Sequence, residues 1–384
     1  MSLVERVRER LVAEAAPLDP GAVAAAIRAE SGGLLGDAEV LDNLRVLQTE
    51  LSGAGVLEPL LRAEGTTDVL VTAPDAVWVD DGNGLRRSGV RFPDEASVRR
   101  LAQRFALLAG RRLDDGQPWV DGQLTGFGAL TVRLHAVLPP VAPDGTCLSL
   151  RVLRPAAQGL DSLAHSGALA PCAGRLLRDI IAARLAFLVS GGTGAGKTTL
   201  LAAALGAVAP HERIVCVEDA AELAPAHPHV VRLVARSANV EGVGAVTVRD
   251  LVRQALRMRP DRIVVGEVRG AEVVDLLAAL NTGHDGGAGT VHANSPAEVP
   301  ARMEALGALG GLGRDALASQ LVAAVQVLLH VGRDRTGQRR LAEIAVLDRG
   351  DDGTLRVRTA WHADDGFGDG AGHLDELLTR RGRS

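Results

Sequence analysis

The sequence predicts an α/β protein whose main domain follows a smaller α+β domain. From Arg175 onward, the short apolar runs LAFLVS, RIVCV and RIVVG alternate with segments of helical periodicity. Strands that alternate with helices in this way are typical of a mostly parallel sheet. The earlier part of the chain contains strand-like segments around one predicted helix, which indicates a separate α+β domain.

Residues 1–55 are predicted to form an N-terminal helical segment. Four leucines recur there at helical spacing, and two glycines end the pattern. The residues concerned are Leu41, Leu44, Leu47, Leu51, Gly53 and Gly55.

Residues 56–158 are predicted to form the α+β domain. Thr67–Thr72 and Val77–Asp80 have the composition of strands, and the cluster Asp81–Gly84 favours a hairpin turn. Ala96–Leu108 has the periodicity of a helix. Two further alternating segments, TVRLHAVL and LSLRVL, predict additional strands of the same sheet.

Three segments complete the predicted organisation. Residues 159–172 are predicted to be a linker between the two domains. Residues 173–362 are predicted to be the α/β domain, ending in a β-meander over Val325–Trp361. Residues 363–384 are rich in glycine and aspartate and are predicted to be a mobile tail.

Composition limits the classes of function. The formal net charge of −5 predicts no general surface for polyanions, so direct nucleic-acid binding is not expected. No apolar run approaches the ~18 residues of a membrane span, so any membrane association would be peripheral and through a partner. The cysteines are far apart and lack CxxC spacing, which indicates reduced thiols in a cytosolic protein: Cys147, Cys172 and Cys216.

Residues 191–198 match the pattern GxxxxGK[ST] between an apolar strand and the helical segment TLLAAAL. Glycines let backbone N–H groups converge on a β-phosphate at a helix N-terminus. Lys197, the only lysine in the chain, would reach the β- and γ-phosphates, and the Thr198 hydroxyl would bind Mg²⁺. The alternative, a glycine-rich turn without nucleotide, does not explain the strand–loop–helix context. The motif predicts ATP and Mg²⁺ as ligands, with Gly191, Gly192, Thr193, Gly194, Ala195, Gly196, Lys197, Thr198 and Thr199 as binding residues.

Three acidic residues follow predicted strands of the α/β domain. Glu218 and Glu222 come after Ile214–Val217, and Glu267 comes after Ile263–Val265. Ligands of a parallel sheet bind beyond the carboxyl ends of its strands. These carboxylates could therefore hold Mg²⁺ indirectly or orient an attacking water, and Glu267 is the candidate for Mg²⁺. The alternative is that all three are solvated acids at strand exits.

Two histidines, His284 and His292, lie in a glycine-rich segment. Their spacing is not usual for metal ligands, and no cysteine joins them. Histidines in a glycine-rich loop suit a flexible sensor near phosphate. The alternative is that they are ordinary loop histidines.

These motifs, in this order, resemble those of the type II/type IV secretion ATPases. The run LRMRPDRIVVGEVRG at Leu256–Gly270 resembles the atypical Walker B motif of that superfamily. Glu218–Glu222 resembles its Asp box, and Thr282–Ser295 resembles its His box. The segment TVRLHAVLPPVAPDGTCLSLR resembles, more loosely, the end of the family's N-terminal domain. The resemblance covers about residues 55–350 and is closest to the tight-adherence pilus branch.

The resemblance implies a RecA-like P-loop ATPase core preceded by a PAS-like N-terminal domain. It also implies a homohexameric ring in which nucleotide is held between the two domains. Glu218 or Glu222 would then supply the general base, and Glu267 would position water or Mg²⁺. The superfamily's Asp box often has proline where this chain has Ala220, a difference that removes no reactive group.

The histidines and two arginines also receive roles from the resemblance. His284 and His292 would sense the γ-phosphate. Arg133 and Arg151, in strand-like segments of the first domain, are candidates for contacting the γ-phosphate as well. The alternative for these arginines is an ion pair with a local acid.

The resulting prediction is an ATP-hydrolysing hexameric motor that powers pilus assembly or protein secretion. It would be cytoplasmic and bound to an inner-membrane platform protein. A conjugal DNA-transfer ATPase of the same superfamily is the main alternative. A P-loop kinase would need neither the histidine segment nor the preceding domain. A non-hydrolysing scaffold would not need Lys197, Thr198, Glu218 and Glu267.

Overall fold

The structure, a computed structural model, divides into two compact units, Met1–Arg154 and Pro155–Ser384. The residues that it describes are 20–32, 53–82, 84–127, 130–153, 156–236, 242–350 and 354–382, with the isolated positions 6, 7, 10, 13, 36, 39, 40 and 238.

The first unit combines antiparallel strands with helices. Its strands are β1 (Asp68–Ala73), β2 (Ala76–Asp80), β3 (Leu85–Arg87), β4 (Trp119–Phe127), β5 (Leu130–Val137) and β6 (Cys147–Leu153). Its helices include α1 (Pro20–Glu30), α2 (Glu58–Arg62) and α3 (Glu95–Leu108). In the described part of this unit, the strands form a six-stranded sheet in the order β3-β2-β1-β6-β5-β4. Alternate side chains of β1, β5 and β6 are buried against α3, which contributes Val98, Leu101 and Phe105 to the core.

The strands and the helix predicted for this unit are confirmed. β1 and β2 match the two predicted strands to within one residue at each end, and α3 begins one residue before the predicted helix. The start of α3 is fixed by Asp94, whose side chain accepts a hydrogen bond from the N–H of Ser97 at 2.7 Å. The predicted helix through Leu41–Leu51 lies outside the described residues.

The second unit consists of a large sheet with helices on both faces. Its strands are β7 (Phe187–Ser190), β8 (Ile214–Glu218), β9 (Val230–Val234), β10 (Arg262–Val268), β11 (Ala288–Val291), β12 (Val327–Arg333), β13 (Arg339–Arg349), β14 (Leu355–His362) and β15 (Gly366–Phe367). Its helices include α4 (Leu160–His165), α5 (Pro171–Ala182), α6 (Lys197–Gly206), α7 (Val248–Ala255), α8 (Glu272–Leu280), α9 (Val299–Leu309), α10 (Arg314–Ala324) and α11 (Ala371–Arg381).

Within the described residues, the sheet has the strand order β15-β14-β13-β12-β7-β11-β10-β8-β9. The strands from β12 to β9 in that order run parallel, and β13, β14 and β15 are antiparallel. Every residue of β7 and β8 is buried, because successive side chains enter separate cores on the two faces. Phe187 belongs to one core and Leu188 to the other. The predicted mostly parallel sheet and the predicted meander are both confirmed.

The predicted linker over residues 159–172 is wrong. That segment contains α4 and the start of α5, and Leu160, Leu163 and Leu169 are buried in the core of the second unit. The boundary between the units falls at Arg154, before the predicted 158. The sequence misled because the apolar positions of α4 are too few to show a helical period.

The predicted mobile tail over residues 363–384 is also wrong. It contains α11, and Leu374 is buried in the same core as Phe187. Arg381 forms an ion pair with Asp285 at 2.8 Å and donates a hydrogen bond to the carbonyl oxygen of Arg184. The abundance of glycine and aspartate therefore reflects the turns before α11 and not a lack of structure. Among the described residues, no helix is both long enough and apolar enough to cross a membrane.

Candidate functional site

The site lies where four neighbouring parallel strands end. In the sheet, β7, β11, β10 and β8 are adjacent in that order. The phosphate-loop motif follows β7, His292 follows β11, Glu267 lies near the end of β10, and Glu218 ends β8. Because parallel strands share one carboxyl edge, residues from four distant segments meet there.

The phosphate loop has the backbone that its glycines permit. Gly194 and Gly196 have φ values of +68° and +102°, which residues other than glycine rarely adopt. Gly191 approaches β12 closely, since an added Cβ would lie 2.5 Å from the carbonyl oxygen of Val331. Helix α6 begins directly after Gly196, which offers no side-chain cap for the first N–H groups. Such a helix N-terminus is suited to an anion.

Lys197 is the first residue of α6 and only 7% of it is exposed. Its Nζ donates hydrogen bonds to the carbonyl oxygens of Gly191 and Gly192, both at 2.9 Å. Burial lowers the pKa of Lys197, against the opposing charge of Glu267. Arg269 lowers this pKa further, and Glu222 raises it.

His292 connects Lys197 to Glu267. Its Nδ1 lies 3.5 Å from Lys197 Nζ, and its Nε2 lies 2.7 Å from Glu267 Oε1. Burial and the charge of Lys197 lower the pKa of His292, which favours the neutral ring. A neutral ring fits both neighbours when Nε2 carries the proton, because Nδ1 then accepts from the ammonium.

Glu267 has a second cationic neighbour that the sequence interpretation did not single out. Arg269, two residues along the chain, donates a short hydrogen bond to Glu267 Oε2. Burial raises the pKa of Glu267, but Arg269, His292 and Lys197 together outweigh burial and lower it. Glu267 is therefore held as a carboxylate. The position of Arg269 just after the strand-end acid was the available signal.

Glu218 is buried, with 3% exposed. Its Oε1 accepts hydrogen bonds from the backbone N–H groups of Glu222 at 3.0 Å and Leu223 at 2.8 Å. Its Oε2 is buried and, within the described residues, has no hydrogen-bond partner. Burial raises the pKa of Glu218 to about 7, despite the lowering effect of the two backbone bonds. Glu218 thus shapes the turn that carries Glu222.

His284 does not join the cluster. It precedes β11, whereas His292 follows that strand, so the two histidines lie at opposite edges of the parallel sheet. The four residues of β11 separate them by roughly 13 Å at ~3.3 Å per residue. His284 Nδ1 lies 3.1 Å from the carbonyl oxygen of Ala279 at the end of α8. The structure therefore does not bring His284 to the phosphate loop of its own chain, and its role as a sensor of the γ-phosphate remains a prediction.

Arg133 and Arg151 belong to the first unit, where they are cross-strand neighbours on β5 and β6. Arg133 forms an ion pair with Asp121 at 3.0 Å, and Arg151 forms one with Asp68 at 2.9 Å. This is the local pairing that the sequence left as the alternative. Their contact with a γ-phosphate remains a prediction.

A cavity of about 330 Å³ adjoins the phosphate loop on the side of Thr199. It is bounded by α4, by the start of α6 and by the β12–β13 hairpin. Arg339 lines the cavity, and its Cδ lies 3.8 Å from the position of a Cβ added at Gly196. The sequence interpretation missed Arg339 because it follows Lys197 by more than a hundred residues and belongs to no motif.

Known proteins resemble this chain over most of its length. The sequence profile described as Type II/IV secretion system protein matches residues 50–355. Two Mycobacterium tuberculosis proteins, provisionally described as conjugal transfer proteins, are 77% identical over 350 residues, covering 91% of this chain and 99% of theirs. Conjugal transfer protein TrbB of Rhizobium radiobacter is 31% identical over 261 residues, covering 67% of this chain and 76% of that protein.

The fold also occurs among solved structures. The crystal structure of the pilus retraction motor PilT with bound ADP aligns with a TM-score of 0.52 at 20% identity. The alignment covers 79% of this chain and 80% of that chain.

The buried carboxyl of Glu218 predicts a specific dependence of stability on pH. Its pKa is about 7 in the folded chain, against an ordinary value of 4.5. Between these values the unfolded chain has lost a proton that the folded chain keeps, so the free energy of unfolding should fall as the pH rises from 4.5 to 7. Glu218→Gln should remove this part of the decline. Urea unfolding across that range would measure it, with the exposed Glu376→Gln as control. Identical pH dependence in wild type and Glu218→Gln would contradict the prediction.

Proposed function

The chain belongs to the type II/IV secretion system protein family, and on that premise we propose that it is an ATP-hydrolysing motor. The motor works as a homohexamer at the cytoplasmic face of a membrane and powers pilus assembly or protein export. The observation that carries the proposal is the connected set of Lys197, His292 and Glu267 beside the phosphate loop. In this set, His292 lies between Lys197, the group proposed to bind phosphate, and Glu267, the acid proposed to orient water.

The residues of the loop fit ATP with Mg²⁺. An uncapped helix N-terminus preceded by glycines accepts the β-phosphate, and the ammonium of Lys197 reaches the β- and γ-phosphates. The Thr198 hydroxyl and Glu267, the latter through water, would hold Mg²⁺. Mg²⁺, when bound, neutralises charge on the phosphates.

Glu222 is the better candidate for the general base. The charge of Glu222 acts on both Lys197 and Arg269, and this supports Glu222 as the base. Glu218, in contrast, uses one carboxyl oxygen to hold the turn and buries the other. Glu218 then positions Glu222, and its raised pKa makes the turn sensitive to pH.

His292 is the candidate sensor of the γ-phosphate. A phosphate that takes the hydrogen bonds of Lys197 Nζ releases His292 Nδ1 from that ammonium. The ring can then turn, which would change the 2.7 Å contact between its Nε2 and Glu267 Oε1. This exchange would transmit the presence of the γ-phosphate to the acid on the neighbouring strand.

The cavity beside Thr199 is the proposed place of the nucleoside. Its lining combines apolar side chains such as Leu163 and Leu200 with polar ones such as Ser162 and Gln338. A flat base needs such a mixture of apolar faces and polar edges. Arg339 would stack its guanidinium on the base.

The partner is an inner-membrane platform protein, which would hold the motor peripherally at the membrane. The tight-adherence pilus branch is the proposed position within the family, on the motif resemblance. A conjugal DNA-transfer ATPase is the second candidate, because the 77% identical M. tuberculosis proteins and TrbB carry that description. Both candidates use the same site.

Lys197→Ala should lower Mg²⁺-dependent ATP hydrolysis by ~10²-fold or more, because it removes the charge that binds the β- and γ-phosphates. Phosphate release by purified protein would measure the loss. Glu267→Gln is the matched variant, since it should still bind ATP but hydrolyse it slowly. Near wild-type turnover in Lys197→Ala would exclude the proposed catalytic site.

Arg339→Ala should weaken ATP and ADP binding about tenfold, since stacking on a base stabilises a bound nucleotide by ~1–2 kcal/mol. The affinity for inorganic tripolyphosphate, which has no base, should not change. Calorimetric titration would measure all three ligands. Arg335→Ala, an exposed arginine in the same hairpin that does not line the cavity, is the control. Equal weakening of ATP and tripolyphosphate would place Arg339 on the phosphates instead.

Arg133→Ala or Arg151→Ala should lower turnover, by up to ~10³-fold if the guanidinium reaches the γ-phosphate across a subunit interface. Lys197→Ala subunits mixed with subunits lacking both arginines should regain part of the activity, because some interfaces then combine two intact halves. ATP hydrolysis by mixed rings would measure this rescue. The exposed ion pair of Arg87 with Asp75 offers the control Arg87→Ala. If rings shown to be mixed regain no activity, both arginines act within their own subunit and not across an interface.

A further inference from the structure

His330 lies beside the phosphate loop although no motif of the sequence includes it. It is half-buried in β12, which pairs in parallel with β7 and antiparallel with β13. The register places His330 opposite Ser190 on β7 and opposite Glu343 on β13. Ser190 is the last residue before the loop.

A hydrogen bond joins His330 to Ser190. The Ser190 Oγ lies 3.0 Å from His330 Nδ1, and the Ser190 side chain is fully buried. The next residues along the two strands are also in contact, because Gly191 packs against the carbonyl oxygen of Val331. The pairing of β12 with β13 is irregular between His330 and Val331, which is where β12 meets the loop. The entry of the phosphate loop therefore rests on this pair of β12 residues.

Charged groups face His330 from several elements. Glu343 lies on β13, Glu298 lies in the turn that precedes α9, and Lys197 lies on α6. Burial lowers the pKa of His330, and Lys197 lowers it further, while Glu343 and Glu298 raise it. The neutral ring follows from this balance. We assign the proton of the neutral ring to Nε2, so that Nδ1 can accept a hydrogen bond from the Ser190 hydroxyl.

Glu298 connects this environment to the segment that follows His292. Its carboxylate accepts hydrogen bonds from the backbone N–H of Asn294 at 3.1 Å and from the Asn294 side chain at 3.0 Å. His330 thus lies between the entry of the phosphate loop and the segment that carries the candidate sensor. Glu343 is fixed in turn by the hydroxyl of Thr359 at 2.6 Å.

We propose that His330 is a positioning residue, whose neutral ring holds Ser190 and thereby the entry of the phosphate loop at Gly191. The inference rests on the proposed binding of nucleotide at that loop. His330 itself touches no phosphate and acts through Ser190 and the backbone of Val331.

Protonation of His330 would disturb this arrangement in two ways. A protonated ring has no acceptor at Nδ1, so the buried hydroxyl of Ser190 would lose the acceptor for its proton. A second positive charge would also arise near Lys197, the group that must face the phosphates. Both effects favour a different conformation of the loop entry, so nucleotide should bind less tightly as the pH falls through the titration of His330.

Four variants of the full chain test the proposal through ADP affinity, measured by calorimetric titration from pH 5 to pH 8. His330→Leu and Ser190→Ala each remove one partner of the hydrogen bond and should weaken ADP binding roughly tenfold. The double variant should be no weaker than either single variant, because the two residues act as one unit. His330→Asn, whose Oδ1 can accept from Ser190, should bind ADP nearly as wild type does at neutral pH.

The pH profile separates positioning from support of the fold. Wild type and His330→Asn both keep His292, so a decline of ADP affinity at low pH that is present only in wild type belongs to His330. Thermal unfolding without ligand would show whether a variant has lost stability.

Three results would overturn the inference. One is wild-type ADP affinity in His330→Leu, and another is additive weakening in the double variant. The third is equal loss of affinity in His330→Asn and His330→Leu, with unchanged pH dependence. Wild-type protein that binds no ADP would instead overturn the proposed function, which distinguishes the two failures.

Discussion

Parallel pairing of β7, β11, β10 and β8 brings the carboxyl ends of these strands to one edge, and the candidate site depends on it. Pairing of this kind requires strands buried on both faces, which the separate cores on either side of the sheet provide. The same constraint keeps His284 away from the candidate site, because His284 precedes β11 and lies at the opposite edge of the sheet. A residue that flanks one of these strands can therefore contribute to the site only if it lies at the carboxyl end of that strand.

The charges at this edge are arranged around a buried ammonium. Lys197 donates to two carbonyl oxygens of its own loop and faces the ring of His292 instead of a carboxylate. Glu267, the acid with the largest effect on the pKa of Lys197, contacts both His292 and Arg269. Among the residues that the structure describes, no direct ion pair cancels the positive charge of Lys197, and the N-terminus of α6 adds to that charge. An anion with several charges is the ligand that such an edge favours.

The first unit offers arginines of a different kind. Arg133 and Arg151 are partly exposed, and each is paired with an acid on a neighbouring strand. Exposed ion pairs stabilise a protein by only ~0–1 kcal/mol. Either guanidinium could therefore exchange its aspartate for a phosphate at little cost, as a contact across a subunit interface would require. The buried pair of Arg262 and Glu212, in contrast, has no such freedom and serves the fold.

The sequence by itself determined the parts that depend on local pattern. The glycines and Lys197 of the phosphate loop, the acids after strands, the alternation of strands and helices, and the meander could be predicted because each follows from neighbours in the chain. Tertiary structure decided the rest, since it depends on which segments pack together. Residues 159–172 and the predicted tail contain helices that pack on the core of the second unit. The fold also separates His284 from His292. It places Arg269, Arg339 and His330 near the phosphate loop. No local pattern marks Arg339 and His330, because the strand order of the sheet, and not spacing along the chain, sets their distance from Lys197. Arg269, in contrast, follows Glu267 by two residues.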